Sequence, residues 1–233
     1  MILVRYLILA CFAALLASPA AAQDYEKGVE SYERGNYASA LKEWRPLAER
    51  GDARAQHELG NLYRRGHGLP QDFAAAMRWY QRAAAQGSMR SQNSIGFMYA
   101  RGLGVDQDFD QARHWFAASA DQGYDRAAFN LAEMHRLGEG MRRDYETAVK
   151  WYSVAADQGL AVAQHNLAVM YANGWGVDRD RTTAYLWFRL AAEQNFPNAD
   201  WQRHRLAQLM SDAEIADAER RAQRWLAEHK PIQ

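Results

Sequence analysis

The sequence predicts an all-α solenoid of about six helix pairs, and three observations predict it. The chain repeats itself at a 36-residue interval: Gly51, Gly87, Gly123 and Gly159, with Asn195 at the next step, and likewise Trp79, Trp115, Trp151 and Trp187. Within each interval apolar residues fall into two successive stripes of helical period. The only cysteine is Cys11, inside an N-terminal apolar run, so the rest of the chain must be stable through packing alone. Self-similarity at this period is the mark of units that bury their apolar faces only against their neighbours.

The elements follow in chain order. Residues 1–22, "MILVRYLILACFAALLASPAAA", carry Arg5, an apolar run, Pro19 and a small-residue end. They predict a secretory signal peptide cleaved after Ala22, hence a periplasmic or secreted protein with no membrane span after cleavage. A retained anchor and lipidation at Cys11 are the competing readings of this segment. The boundaries expected beyond it are an N-terminal unit over 23–51, four units over 52–87, 88–123, 124–159 and 160–195, and capping helices over 196–233.

In the first clear unit Ala55, Leu59 and Tyr63 form one helical stripe, and Ala76, Trp79, Tyr80, Ala83 and Ala84 a wider second one. The loop "RGHGLPQD" between them recurs as "RGLGVDQD", "LGEGMRRD" and "NGWGVDRD". Its glycines suit a left-handed helix end. The closing aspartates Asp72, Asp108, Asp144 and Asp180 suit N-caps of the second helices, and Gly87, Gly123 and Gly159 suit their ends. Two final helices are expected over 198–209 and 212–228, the second opened by a capping box of Ser211 and Glu214.

On these residues the chain resembles the Sel-1-like repeat family, relatives of tetratricopeptide repeats. The matching pattern is "AQHELGNLYRRGHGLPQDFAAAMRWYQRAAAQG" and its three successors. The resemblance implies a right-handed α/α superhelix with first helices lining a concave face. "YEKGVESYERGNYASALKEWRPLAERGD" is similar to a divergent unit with a shorter loop, in which Trp44 falls one residue out of phase. His135 in place of tyrosine and Ala132 in place of glycine imply an altered helix contact in the third unit.

The loop glycines lack the strand and lysine-bearing helix of a phosphate loop. Asp106, Asp108 and Asp110 lack the glycine and closing glutamate of a calcium loop, since Gln111 and Ala117 stand there. The seven histidines form no close-ligand pair, and no Gly-x-Ser-x-Gly elbow occurs. No cofactor or metal is expected, and balanced charge (28 basic, 28 acidic) gives no nucleic-acid footprint. Trp79, Trp115, Trp151 and Trp187 could stack sugars but are expected to be core, so that Trp115→Ala would cost about 3–5 kcal/mol. Met98, Met134 and Met170, with Leu62 in the same place, read as packing rather than as a binding strip.

First-helix positions that do not repeat are the expected recognition surface: His57, Asn61, Asn93, Phe97, Phe129, Asn130, Glu133, His165 and Asn166. A merely solvated face is the competing reading. The expected function is an exported non-catalytic scaffold that binds an envelope protein on the concave face, in envelope assembly or signalling. A peptidoglycan- or exopolysaccharide-binding module and a β-lactamase-like hydrolase are the alternatives; the Ser-x-x-Lys motif of serine β-lactamases is absent.

Overall fold

A computed structural model describes residues 19–229 as twelve helices, and no strand occurs among them. The first ten form five antiparallel pairs: α1 (Pro19–Glu33) with α2 (Tyr37–Glu49), α3 (Ala53–Arg65) with α4 (Phe73–Ala84), and α5 (Met89–Arg101) with α6 (Phe109–Ala120). Then come α7 (Asp125–Leu137) with α8 (Tyr145–Asp157) and α9 (Ala161–Asn173) with α10 (Arg181–Glu193), followed by α11 (Ala199–Ala207) and α12 (Asp212–Glu228). Helices α1 to α10 each pack on their neighbours in sequence, as in an α/α solenoid, and the last two helices both pack on α10. The predicted leader lies mostly outside the described residues. Its expected junction after Ala22 falls within α1, so cleavage there leaves 23–33 as the first helix.

Loop chemistry sets the hairpins. Gly66, Gly102, Gly138 and Gly174 end the first helices in the left-handed conformation. The carboxylates of Asp72, Asp108, Asp144 and Asp180 then accept from the third N–H of the second helices at 2.8–3.0 Å. Asn195 has φ 56°, positive like the glycines it replaces, whose φ runs from 86° to 101°. The Ser211–Glu214 capping box is present. The second loop glycine makes a contact between units: a Cβ on Gly104 (φ 72°) would lie 2.6 Å from Cβ of Phe73, at the start of the preceding unit's second helix. Within a unit, amide pairs tie the end of the second helix back to the start of the first. Gln86, Gln122 and Gln194 donate to Gln56, Gln92 and Gln164, and the series lapses only where Ala128 occupies the third unit.

The core corrects one expectation. Among the four repeated tryptophans only Trp187 is buried; Trp79, Trp115 and Trp151 are half-buried at the rim of the core. The fully buried aromatics are the next residues, Tyr80, Phe116, Tyr152 and Phe188. Their rings lie over a first-helix residue with little or no side chain. A Cβ on Gly60 would stand 2.6 Å from the Tyr80 ring, and one on Gly96 2.7 Å from Phe116. Ala132 and Ala168 hold the same position with no exposed surface, so the third-unit alanine fits the series. Trp44 belongs to this inner series: it sits over Gly28, and the three-residue connection between α1 and α2 accounts for the shorter unit. Its apparent phase slip is therefore a match to the inner ring. Met98, Met134, Met170 and Leu62 are all buried, as packing residues.

Candidate functional site

The nine candidate first-helix residues divide into two groups. The first is committed to the interior. His57 is 5% exposed, its Nδ1 lies 2.9 Å from Ser91 Oγ, and its ring packs on Tyr80. Burial, reinforced by Arg90 and Arg64, pushes its pKa down to about 3. It is therefore a neutral buried histidine rather than a surface contact, which corrects the expectation for this position. The serine–histidine pair has the spacing of a nucleophile and base, but Ser91 has no exposed surface and so weak a base takes no proton near neutral pH.

Asn61 and Glu133 are tied to the inner rings. The Tyr80 hydroxyl donates to Asn61 Oδ1 at 2.8 Å and accepts from Arg64 Nε at 3.2 Å. In the third unit the Tyr152 hydroxyl donates to the Glu133 carboxylate and accepts from Arg136 Nε at 3.0 Å, while Arg136 Nη2 holds Glu133 at 2.6 Å. Asn166 Nδ2 joins this cluster at 3.1 Å from Glu133. Burial first, then the Glu133 carboxylate, pushes the Tyr152 hydroxyl pKa up. Units two and four have Phe116 and Phe188 instead, with Phe97 and Ala100, and Val169 and Ala172, at the equivalent first-helix places. Side-chain polarity thus follows the ring: a buried hydroxyl requires partners and a phenyl does not. Variation at this position answers the core, which the sequence reading had assigned to recognition.

The remaining candidates stay nearer solvent. Phe97 is 37% exposed. Asn93 accepts from Asn130 Nδ2 at 2.8 Å, linking α5 to α7. Phe129 is half-buried against Tyr152, and His165 is half-buried between Phe188 and Phe196, with its pKa lowered by burial.

An open pocket of about 240 Å³ lies across α3, α5 and the start of α7. Asn61, Asn93 and Phe97 line it together with four arginines that the sequence reading passed over, Arg64, Arg65, Arg90 and Arg126. The available signal was periodic: Arg54, Arg90 and Arg126 stand 36 residues apart in the first turn of the first helix. Arg54 reaches back over the Tyr25 ring and Arg90 to Glu58, each in the preceding unit. Among the described residues Arg65 and Arg126 have no ion-pair partner. Also among them, no group of three or more His, Cys, Asp or Glu is arranged to hold a metal, and no helix is long and apolar enough to cross a membrane.

Comparison with known proteins agrees with this geometry. The model of the Sel1 repeat matches residues 53–88, 90–124, 125–160 and 161–196. The chain is similar to the solved structure of a protective antigen present in uropathogenic Escherichia coli strains and displaying an SLR fold. The TM-score is 0.74 and the identity 30%, over 90% of this chain and 45% of that one, so the chain spans under half of that relative's length. A Sel1 repeat protein from Oxalobacter formigenes superimposes with a TM-score of 0.70 and 26% identity, covering 88% of this chain and 81% of that one. Comparison with the curated proteins finds no match.

Proposed function

The chain belongs to the Sel1 repeat family, and from that premise we propose that it is an exported, non-catalytic scaffold binding a segment of another protein along its first helices. Repeats of this kind form a scaffold fold typical of protein–protein interaction, and stacked helix pairs generate extended concave surfaces for it. The observation that carries the reading is the pocket across α3, α5 and α7. It joins guanidiniums without acidic partners, amides and the exposed ring of Phe97 on one face, while the residues that recur in every unit are taken up by packing. The serine–histidine pair supports no hydrolase, because its serine is sealed from substrate. Export rests on the leader-like residues 1–22, and an envelope role in assembly or signalling follows from it.

Photo-crosslinking of the tagged mature protein in its native envelope, followed by mass spectrometry, tests the proposal. A crosslinker at Phe97 should recover a protein partner, and one at exposed Arg224 on α12 should not. Recovery of no protein from any first-helix position would end the scaffold reading. A glycan reading has one observation in its favour: the exposed loop indole Trp175, stacked on Tyr145 with centroids 5.8 Å apart, offers a flat platform. Sedimentation with purified sacculi, lost in Trp175→Ala, would support it instead.

A further inference from the structure

We infer that the arginine pocket takes an acidic segment of the partner, with carboxylates on Arg65, Arg90 and Arg126 and an adjacent apolar side chain against Phe97. This deepens the scaffold reading and rests on it. The charge argument is local. The chain is neutral overall, yet four guanidiniums line one pocket, and among the described residues the only acid that pairs with any of them is Glu58, held by Arg90 at 3.2 Å. Guanidinium forks bind carboxylates in two-point geometry and keep their charge at any working pH. Arg64 is occupied by the Tyr80 hydroxyl, which leaves Arg65, Arg126 and the outer edge of Arg90 for a ligand. Arg65 has only a weak bond to the Tyr32 hydroxyl, 3.3 Å long.

Size and lining favour a peptide over other anions. About 240 Å³ is below the ~300–1,000 Å³ usual for small-molecule sites, and the open pocket spans three successive first helices, which suits side chains projecting from an extended chain. Asn93 on the pocket wall gives its oxygen to Asn130 and keeps its amide N–H groups for a peptide carbonyl, and Phe97 supplies an apolar contact that a uniformly polar polyanion does not use.

The test measures binding by fluorescence anisotropy on the full mature chain. Three labelled probes are used: an octapeptide alternating glutamate and leucine, its glutamine–leucine counterpart, and polygalacturonate oligomers. The acidic peptide should bind at least tenfold more tightly than the glutamine peptide, and at least tenfold more weakly in 500 mM than in 50 mM salt. Arg65→Gln and Arg126→Gln should each weaken it about fivefold, and Arg224→Gln, far from the pocket, should not. Both pocket variants alter exposed side chains without ion pairs, so circular dichroism should show them folded. Equal binding of the two peptides would overturn the inference, as would unchanged affinity in the Arg65→Gln/Arg126→Gln double variant. Preference for polygalacturonate would also overturn it in favour of an anionic glycan. If crosslinking recovers a protein partner while the acidic peptide fails, the scaffold reading stands and this one falls.

Discussion

The coupling of ring hydroxyls to first-helix polarity yields a quantitative expectation for the third unit. Its set is Glu133, Arg136 and Tyr152; the fourth unit has Val169, Ala172 and Phe188 at the same places. Tyr152→Phe removes the hydroxyl while Glu133 and Arg136 keep each other at 2.6 Å, for a cost of about 1–1.5 kcal/mol. Glu133→Val leaves the hydroxyl donor, Arg136 and Asn166 together without their acceptor, for about 2–3 kcal/mol. Arg136→Ala should cost about 1–2 kcal/mol. Added independently these reach about 4–6.5 kcal/mol. The triple variant, however, installs the composition that the next unit already packs, leaves only the half-buried Asn166 amide to turn to solvent, and should cost no more than about 1.5 kcal/mol. The coupling of at least about 2.5 kcal/mol is read from urea midpoints at constant m-value, followed by far-ultraviolet circular dichroism. A triple variant as unstable as the sum of its parts would refute the reasoning.

Three further outcomes follow from the packing. Phe116→Ala should cost about 3–5 kcal/mol and Trp115→Ala about half as much, reversing the order expected from the tryptophan series alone; paired thermal melts decide it. Gly104→Ala, with φ 72° and the Phe73 Cβ in the way, should lose about 2–4 kcal/mol, whereas Gly87→Ala, with open space around it, loses only the left-handed strain of about 1–2 kcal/mol. Buried neutral His57 binds fewer protons folded than unfolded, so stability rises with pH from about 3 to the unfolded value near 6.5 and is flat above it. Between pH 7.5 and pH 5 this group alone should remove about 2 kcal/mol, and His57→Gln should lose correspondingly less over the same interval in denaturant titrations.

The architecture was legible because periodicity, loop glycines and capping aspartates are local signals that each unit repeats. Which of two adjacent aromatics turns inward was not. Trp79 and Tyr80 are only about 100° apart on a helix, so both fit one wide stripe. The deciding feature is the bare first-helix position at Gly60 and Gly96, which lies twenty residues earlier and becomes meaningful only when the helices pair. The candidate site was legible in part. Asn61, Asn93 and Phe97 do line the pocket, but His57, Asn61 and Glu133 vary from unit to unit because the core they serve varies. The arginines were hidden by a whole-chain charge of zero, which averages over a surface that the fold divides.

These two misses share a physical origin, and together they sharpen where recognition can reside. In a repeat array a side chain escapes the period for one of two reasons. Either the inner ring it faces has changed, as Asn61 follows Tyr80 and Val169 follows Phe188, or nothing inside the unit constrains it. Only the second kind is free to answer to a partner. Beside those tied residues stand Arg65 and Arg126, which have no ion-pair partner among the described residues, and the ring of Phe97, which stays 37% exposed. All three border the same open pocket, although they come from three different helices and no local motif connects them. That convergence is what a scaffold built from near-identical units needs, because stacking supplies the shape and leaves specificity to the few positions that stacking does not use.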